Sequence, residues 1–325
     1  MNHFQTAEIL PLALYERITE IRVSDPDRSL REAQRRVRRP KLAPRSKLNV
    51  IAADHPARGV LSVSKDPIRM ADRRDYLGRV LRVLSSDMID GVMATMDVLE
   101  DLFIIDAVLR ERGEPSMLDD KLLIGSLNRG GLVGSNWEMD DPMTGPSPQT
   151  CVDWRLDGAK ILLRICLDDA SSLKTMVASA QAITQANALS LPTFLEPLPV
   201  VKSATGFQVQ KSRETLASAV SIASALGDSS RYLWLKLPYC EGYEVVAGAT
   251  SLPILILGGE SAGDPLQFLR QIAAAMAAGS NVRGALVGRN VLYPGEADPL
   301  TVAEAVGGIV HKAWTVDQAL EATSV

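Results

Sequence analysis

Histidine is scarce in this chain of 325 residues, with three, at positions 3, 55 and 311. A zinc site built from clustered His and Cys is therefore not expected. Cysteine is equally scarce. Cys151, Cys166 and Cys240 form an odd set without C-x-x-C spacing, which fits a reduced, cytoplasmic setting. Basic charge is not in surplus: 35 Lys and Arg stand against 39 Asp and Glu, a net charge of -4. Nothing in that balance favours nucleic acid as a partner. No apolar run approaches the ~18 residues of a membrane span. The N-terminal stretch MNHFQTAEILPLALYERI lacks the basic leader and long apolar core of a signal peptide. An early GxGxxG turn, the mark of a dinucleotide fold, is missing too.

What is present is a regular alternation. Short apolar or β-branched runs occur at 48–54, 90–95, 121–126, 160–167, 191–196, 231–237, 252–259 and 284–288. Amphipathic stretches of helical length fall between them, near 73–86, 97–112, 169–187, 211–226, 240–248, 263–279 and 299–313. Between the third and fourth runs lies a long polar loop, 127–149, and then a short helix near 149–155. Strand-then-helix order repeated through residues 46–325 predicts an α/β fold, a (β/α)8 TIM barrel, over an open doubly wound sheet. Residues 1–45 read as an N-terminal helical extension: ALYERITEIR, then SLREAQRRVRRPKLAPR, a basic helix ended by Pro40. The RRVRRPK run is read as a solvated helical face docked on the domain or on another subunit. A homo-oligomer is expected on that basis.

In such a barrel the chemistry belongs at the C-terminal strand ends. Those ends carry Asp54 and His55, then Asn128, Arg129, Gly130 and Gly131. Further on come Glu196, Lys236, Gly258, Gly259 and Glu260, then Gly288 and Arg289. On the fourth strand Lys160, Leu162, Arg164 and Cys166 share the inward face. Lys160 opens that strand and is expected toward the bottom of the barrel, which leaves Arg164 as the site candidate. Lys236 lies within the apolar run RYLWLKLPY, with Trp234 and Lys236 on one face and Leu235 and Leu237 on the other. An amine in an apolar cavity loses solvation and protonates less readily, so it can attack a carbonyl and form a Schiff base. Asp54, Glu196 and Tyr239 are candidates to move the protons this chemistry needs. The glycines after strands seven and eight, with Arg289, suit a phosphate cradle.

These residues resemble the class I, Schiff-base aldolases of the TIM-barrel superfamily, the archaeal-type fructose-bisphosphate and tagatose-bisphosphate aldolases in particular. The carrying motifs are AADHPARG at Asp54, PTFLEPL at Glu196, YLWLKLPY at Lys236, ILGGES, and LVGRN. The resemblance implies that Lys236 is the nucleophile and that Asp54 and Glu196 handle protons. It implies a phosphate held by Gly258, Gly259, Gly288 and Arg289. Arg164 and Arg129 would position substrate, alongside His55 and Asn128. No cofactor or metal is implied, and neither is a membrane partner. The relatives place a catalytic Tyr or Lys on strand four, where GAKILLRICLDD offers no Tyr. The loop LNRGGLVGSNWEMDDPMTGP resembles a bacterial subfamily linked to inositol catabolism, which implies a keto-sugar acid such as 2-deoxy-5-keto-gluconate 6-phosphate. Glu138, Asp140 and Asp141 in that loop are a weaker candidate for a divalent metal. Two alternatives stay open: another sugar-phosphate barrel enzyme (an isomerase or metal-dependent lyase), or a non-catalytic metabolite-binding barrel.

Overall fold

The computed structural model describes residues 4–129, 131–132, 134–204, 206–259, 261 and 264–323. Gly130 and Glu260, singled out above, lie outside the described residues.

Nine strands form one sheet: β1 Leu48–Ala53, β2 Gly91–Ala94, β3 Leu122–Ser126, β4 Gly158–Ile165, β5 Thr193–Ser203, β6 Gly206–Val209, β7 Leu233–Pro238, β8 Ile254–Leu257 and β9 Val282–Val287. All but β6 pair in parallel in the cyclic order β1-β2-β3-β4-β5-β7-β8-β9, and β9 returns to β1. The result is the closed TIM barrel expected from the alternation. Side-chain parity divides its core in two. Ile51, Val92, Leu123, Ile161, Leu195, Leu235 and Ile256 face the helices. Val50, Met93, Ile124, Phe194, Leu255 and Leu286 fill the lumen, with Trp234 against them. Among the described residues no helix is long and apolar enough to cross a membrane.

Three details depart from the sequence expectation, and each bears on the site. First, β5 does not stop at Glu196. It runs on to Ser203 and turns back as the antiparallel β6, with Val200 opposite Val209. The sequence run ended at 196, and only Thr193–Leu195 of the longer strand pair with β7. The Thr193 N–H points to the β7 side, toward the carbonyl of Tyr232. Residues of the same parity point the same way, so at 197 the missing N–H falls beyond the last β7 pair, and at 199 that side faces Gln210, whose N–H donates to the Pro199 carbonyl.

Second, the basic helix ends at Arg35, well before Pro40. Residues 36–43 then cross the N-terminal ends of β2, β3 and β4 as an extended strap. The Arg36 guanidinium, 1% exposed, donates to Asp157 and to the carbonyls of Lys121 and Arg155. Arg38 adds a second bond to Asp157, and Arg39 donates to Asp90 and to the carbonyl of Asp120. Leu42 and Ala43 pack against the bottom of the lumen. The run is thus a plug of the barrel floor, not a solvated helical face.

Third, β4 is displaced along the barrel. Its first residue, Gly158, is level with Ile124, and Lys160 is level with Ser126, the last residue of β3. This stagger is the shear that barrel closure demands.

Candidate active site

The stagger overturns the placement of Lys160 at the barrel bottom. Although near the start of its strand, it stands level with the top of its neighbour, and its side chain crosses the lumen, fully buried. Its Nζ lies 3.0 Å from Asp54 Oδ2 at the end of β1 and 3.1 Å from Glu196 Oε2 on β5. Lys236 Nζ, from β7, reaches the same Glu196 oxygen at 2.9 Å. Two ammonium groups therefore share one carboxylate oxygen, and Asp54 holds one of them from across the lumen. Beneath them lie Phe194 and Trp234, their ring centroids 6.0 Å apart, and Leu255.

Burial and charge work against each other here. Burial lowers the Lys236 pKa, and the nearby Lys160 charge lowers it further, against the opposing pull of Glu196 and Asp54. Burial alone would raise both carboxylates, but Lys160 and its cationic neighbours win. Asp54 is held far below its usual range, and Glu196 is held at about 2. His55 is pushed down to about 3, first by burial and then by Arg58 and Arg289, despite the adjacent Asp54. Its Nδ1 is 3.9 Å from Asp54 Oδ1, and both atoms are buried without a hydrogen-bond partner among the described residues.

Arg58, absent from the sequence reading, sits on the short 3-10 turn Pro56–Arg58 that follows β1. Its charge acts on Asp54, His55, Arg164 and Glu196 together, and its buried Nε has no partner. The AADHPARG motif contained it, four residues past Asp54.

The other expected site residues divide. Arg164 lies at the top of β4, ion-paired with Glu138 of the 127–146 loop. Glu138 also accepts from the Gly134 N–H and lies against Gly206 at the β5–β6 turn. Asn128 is buried, and its amide is engaged with the Leu162 N–H, the Leu162 carbonyl and Asp141. It pins the end of β3 to β4 and has little left to offer a substrate. Arg129 is exposed on the rim. Tyr239 belongs to the outer layer, its ring stacked on Tyr243 at 5.7 Å, so the proton-transfer role considered for it has no support. Glu138, Asp140 and Asp141 turn to Arg164, Lys174 and Asn128 respectively. They do not converge, and no metal-holding group exists among the described residues.

The glycine ends are tightly built. Gly259 follows β8 with φ +71, a left-handed turn that favours glycine. A β-carbon on Gly288 would fall 2.3 Å from His55 Cε1 and 2.7 Å from the Ala52 carbonyl oxygen. Asn290 Nδ2 donates to the Gly258 carbonyl at 2.7 Å, tying the two loops into one cradle. Over the β4–β5 side of the mouth, Met139, Leu162, Cys166, Leu198 and Val200 form a small apolar cap with Phe207, Val209 and Leu257. The 127–146 loop and the β5–β6 hairpin thus roof the two lysines.

Comparison with known proteins agrees with this fold. A crystal structure of Cgl0159 from Corynebacterium glutamicum superposes with a TM-score of 0.87 at 36% identity, covering 94% of this chain and 99% of that one. An archaeal fructose 1,6-bisphosphate aldolase superposes with a TM-score of 0.59 at 21% identity, over 87% of this chain and 99% of that chain, a likeness of fold. Among curated proteins, a 2-amino-3,7-dideoxy-D-threo-hept-6-ulosonate synthase of Archaeoglobus fulgidus is 32% identical over 108 residues, 33% of this chain. An uncharacterized aldolase of Saccharolobus solfataricus is 30% identical over 140 residues, 42% of this chain. The matched segments span 38% and 48% of those two relatives. The resemblance to barrel aldolases read from the motifs is thereby shown at the level of fold and relatives. Residues 46–310 match the Cgl0159-like family model, and the chain belongs to that family.

Proposed function

We propose that this chain is a class I aldolase that cleaves a phosphorylated keto-sugar or keto-sugar acid through a Schiff base on Lys236. The observation that carries the reading is the buried pair of lysines sharing Glu196 Oε2, with Asp54 holding the second lysine. A structural ion pair needs one lysine. A second ammonium beside it serves to keep Lys236 deprotonated, which is what a nucleophilic amine requires.

Lys236 Nζ adds to the substrate ketone and gives a carbinolamine. Loss of its hydroxyl as water needs a proton, and Lys160, within 3.1 Å of Glu196, is the donor on strand four that the sequence had left vacant. The iminium then draws electrons from the adjacent carbon–carbon bond as Glu196 takes the proton of the neighbouring hydroxyl. An aldehyde leaves. The remaining enamine is reprotonated and hydrolysed, which releases the ketone phosphate and frees Lys236. Asp54 fixes Lys160 and stabilises its charge. The cradle of Gly258, Gly259, Gly288 and Arg289 takes the phosphate, and Arg58 and Arg164 face the remaining oxygens of the substrate. The names of the two curated relatives, an aldolase and a ulosonate synthase, support carbon–carbon chemistry.

Borohydride trapping tests this. The protein is incubated with dihydroxyacetone phosphate and reductant, and its intact mass is measured. A single adduct is expected, lost in Lys236→Ala. Absence of any adduct, or an adduct that persists in Lys236→Ala, would exclude the Schiff base at this lysine.

A further inference from the structure

The segment that leaves β6 carries Lys211-Ser212-Arg213, which no assignment above uses. We propose that Lys211 is the cation that covers the phosphate cradle and binds the phosphate of the substrate. This rests on the reading of the glycine loops as a phosphate site. The backbone around Lys211 is fixed on both sides. The Gln210 N–H donates to the Pro199 carbonyl at 2.8 Å, and Ser212 caps the helix Arg213–Ser224 by accepting from the Thr215 N–H. Held between these anchors, the side chain extends over the β8 loop. Its Nζ lies 3.8 Å from the point that a β-carbon on Gly259 would occupy. Arg213 lies over Gly242, beyond the end of β7, in the same manner, its Cδ 3.0 Å from the corresponding point. Residues 211–213 therefore run above two consecutive loops, exposed at the surface, with Arg213 ion-paired to Glu214 and Lys211 lying over Gly259.

Two features separate Lys211 from an ordinary surface lysine. Among the described residues it has no hydrogen bond or ion pair, and no described carboxylate neutralises its charge. Gly259 beneath it has φ +71 and no side chain, which leaves room for an oxyanion between the main chain and the ammonium. A phosphate monoester carries about -1.5 to -2 charge. Arg289 is one cation for it, and Lys211 supplies a second from the opposite side. The hairpin β5–β6 then has a role beyond roofing, because it delivers the chain to this position.

The test uses the full chain with Lys211→Met and Lys211→Arg. Calorimetric affinities for dihydroxyacetone phosphate and for unphosphorylated dihydroxyacetone are compared, together with inorganic phosphate alone. A charged hydrogen bond of about 1.5–3 kcal/mol corresponds to roughly 10–100-fold in affinity. Lys211→Met is expected to lower the phosphorylated-to-unphosphorylated affinity ratio by at least about 10-fold, and Lys211→Arg to recover most of it. An unchanged ratio in Lys211→Met, or a wild-type protein that binds no phosphate, overturns the proposal. Failure of borohydride trapping while phosphate binding responds to Lys211 removes the aldolase reading and supports the phosphate site.

Discussion

The two ends of the barrel use buried charge in opposite ways. At the floor three arginines meet carboxylates, Arg36 and Arg38 on Asp157 and Arg39 on Asp90, with His311 also on Asp90 and Lys121 donating to the carbonyls of Ser86 and Ile89. Guanidinium stays charged at any accessible pH and its planar fork suits several fixed acceptors at once. Deep in the mouth the cations that meet Asp54 and Glu196 are lysines, with Arg164 on Glu138 above them. Among the described residues Asp54 Oδ1, His55 Nδ1 and Arg58 Nε have no hydrogen-bond partner, as Arg36 Nε has none at the floor. Lysine is the residue whose pKa burial moves readily. The arginine pairs of the floor hold their protons, whereas the two lysines on Glu196 can give theirs up more readily. At both ends cations meet buried carboxylates, and the choice of cation sets how readily they titrate.

That contrast can be broken at either end. The largest effect is expected at the mouth: Lys160→Met should lower turnover by about 10²–10⁴-fold, the usual worth of a positioned proton donor. It carries a sign as well. Removing Lys160 takes away a repelling charge and leaves Glu196 and Asp54 acting on Lys236, so the Lys236 pKa rises. The acidic limb of the pH profile for borohydride trapping should then move to higher pH. A limb that stays or moves down would show that Lys160 does not depress Lys236.

The converse experiment is Arg36→Met. Breaking a buried ion pair strands the partner charge, at a cost of about 3–5 kcal/mol. A large drop in the urea midpoint is expected, with trapping per folded molecule unaffected. Normal stability together with altered trapping would contradict the division between the two ends.

His55 gives the smallest effect. Its folded pKa, about 3, lies below the unfolded value near 6.5. Below that value the unfolded chain takes up a proton that the native state refuses. Stability should therefore fall with acidification by about 1.4 kcal/mol per pH unit between roughly pH 6 and 4. Asp54 and Glu196, also held low, add to the loss only below their unfolded values near 4. Urea titrations of wild type and His55→Asn across this range should show the variant with the shallower slope.

Much of this architecture was legible in the sequence because period and order encode it. The alternation predicted the closed barrel, and parity predicted that Trp234 and Lys236 face inward while Leu235 and Leu237 face the helices. Lys160 was misjudged because position along a strand does not give height in a barrel. The shear between β3 and β4 does, and no local pattern records it. The hairpin β5–β6 was missed because the apolar run was ended at 196, and the continuation past the last β7 pair depends on its β4 and β6 partners. Arg36 looked like one basic residue among many. Its burial depends on Asp157, 121 positions away in the chain. Glu138 likewise looked like part of an acidic cluster until the loop folded it onto Arg164. Each miss concerns a contact between segments far apart, where composition carries little information.

One contact at the mouth has a mechanical meaning. β1 and β4 are not neighbours in the sheet, yet Lys160 and Asp54 join them directly across the lumen at 3.0 Å. The bond acts as a cross-brace on a ring that is otherwise held only around its circumference. A molecule that parts Lys160 from Asp54 would act as a wedge, spreading the top of the barrel as well as filling it.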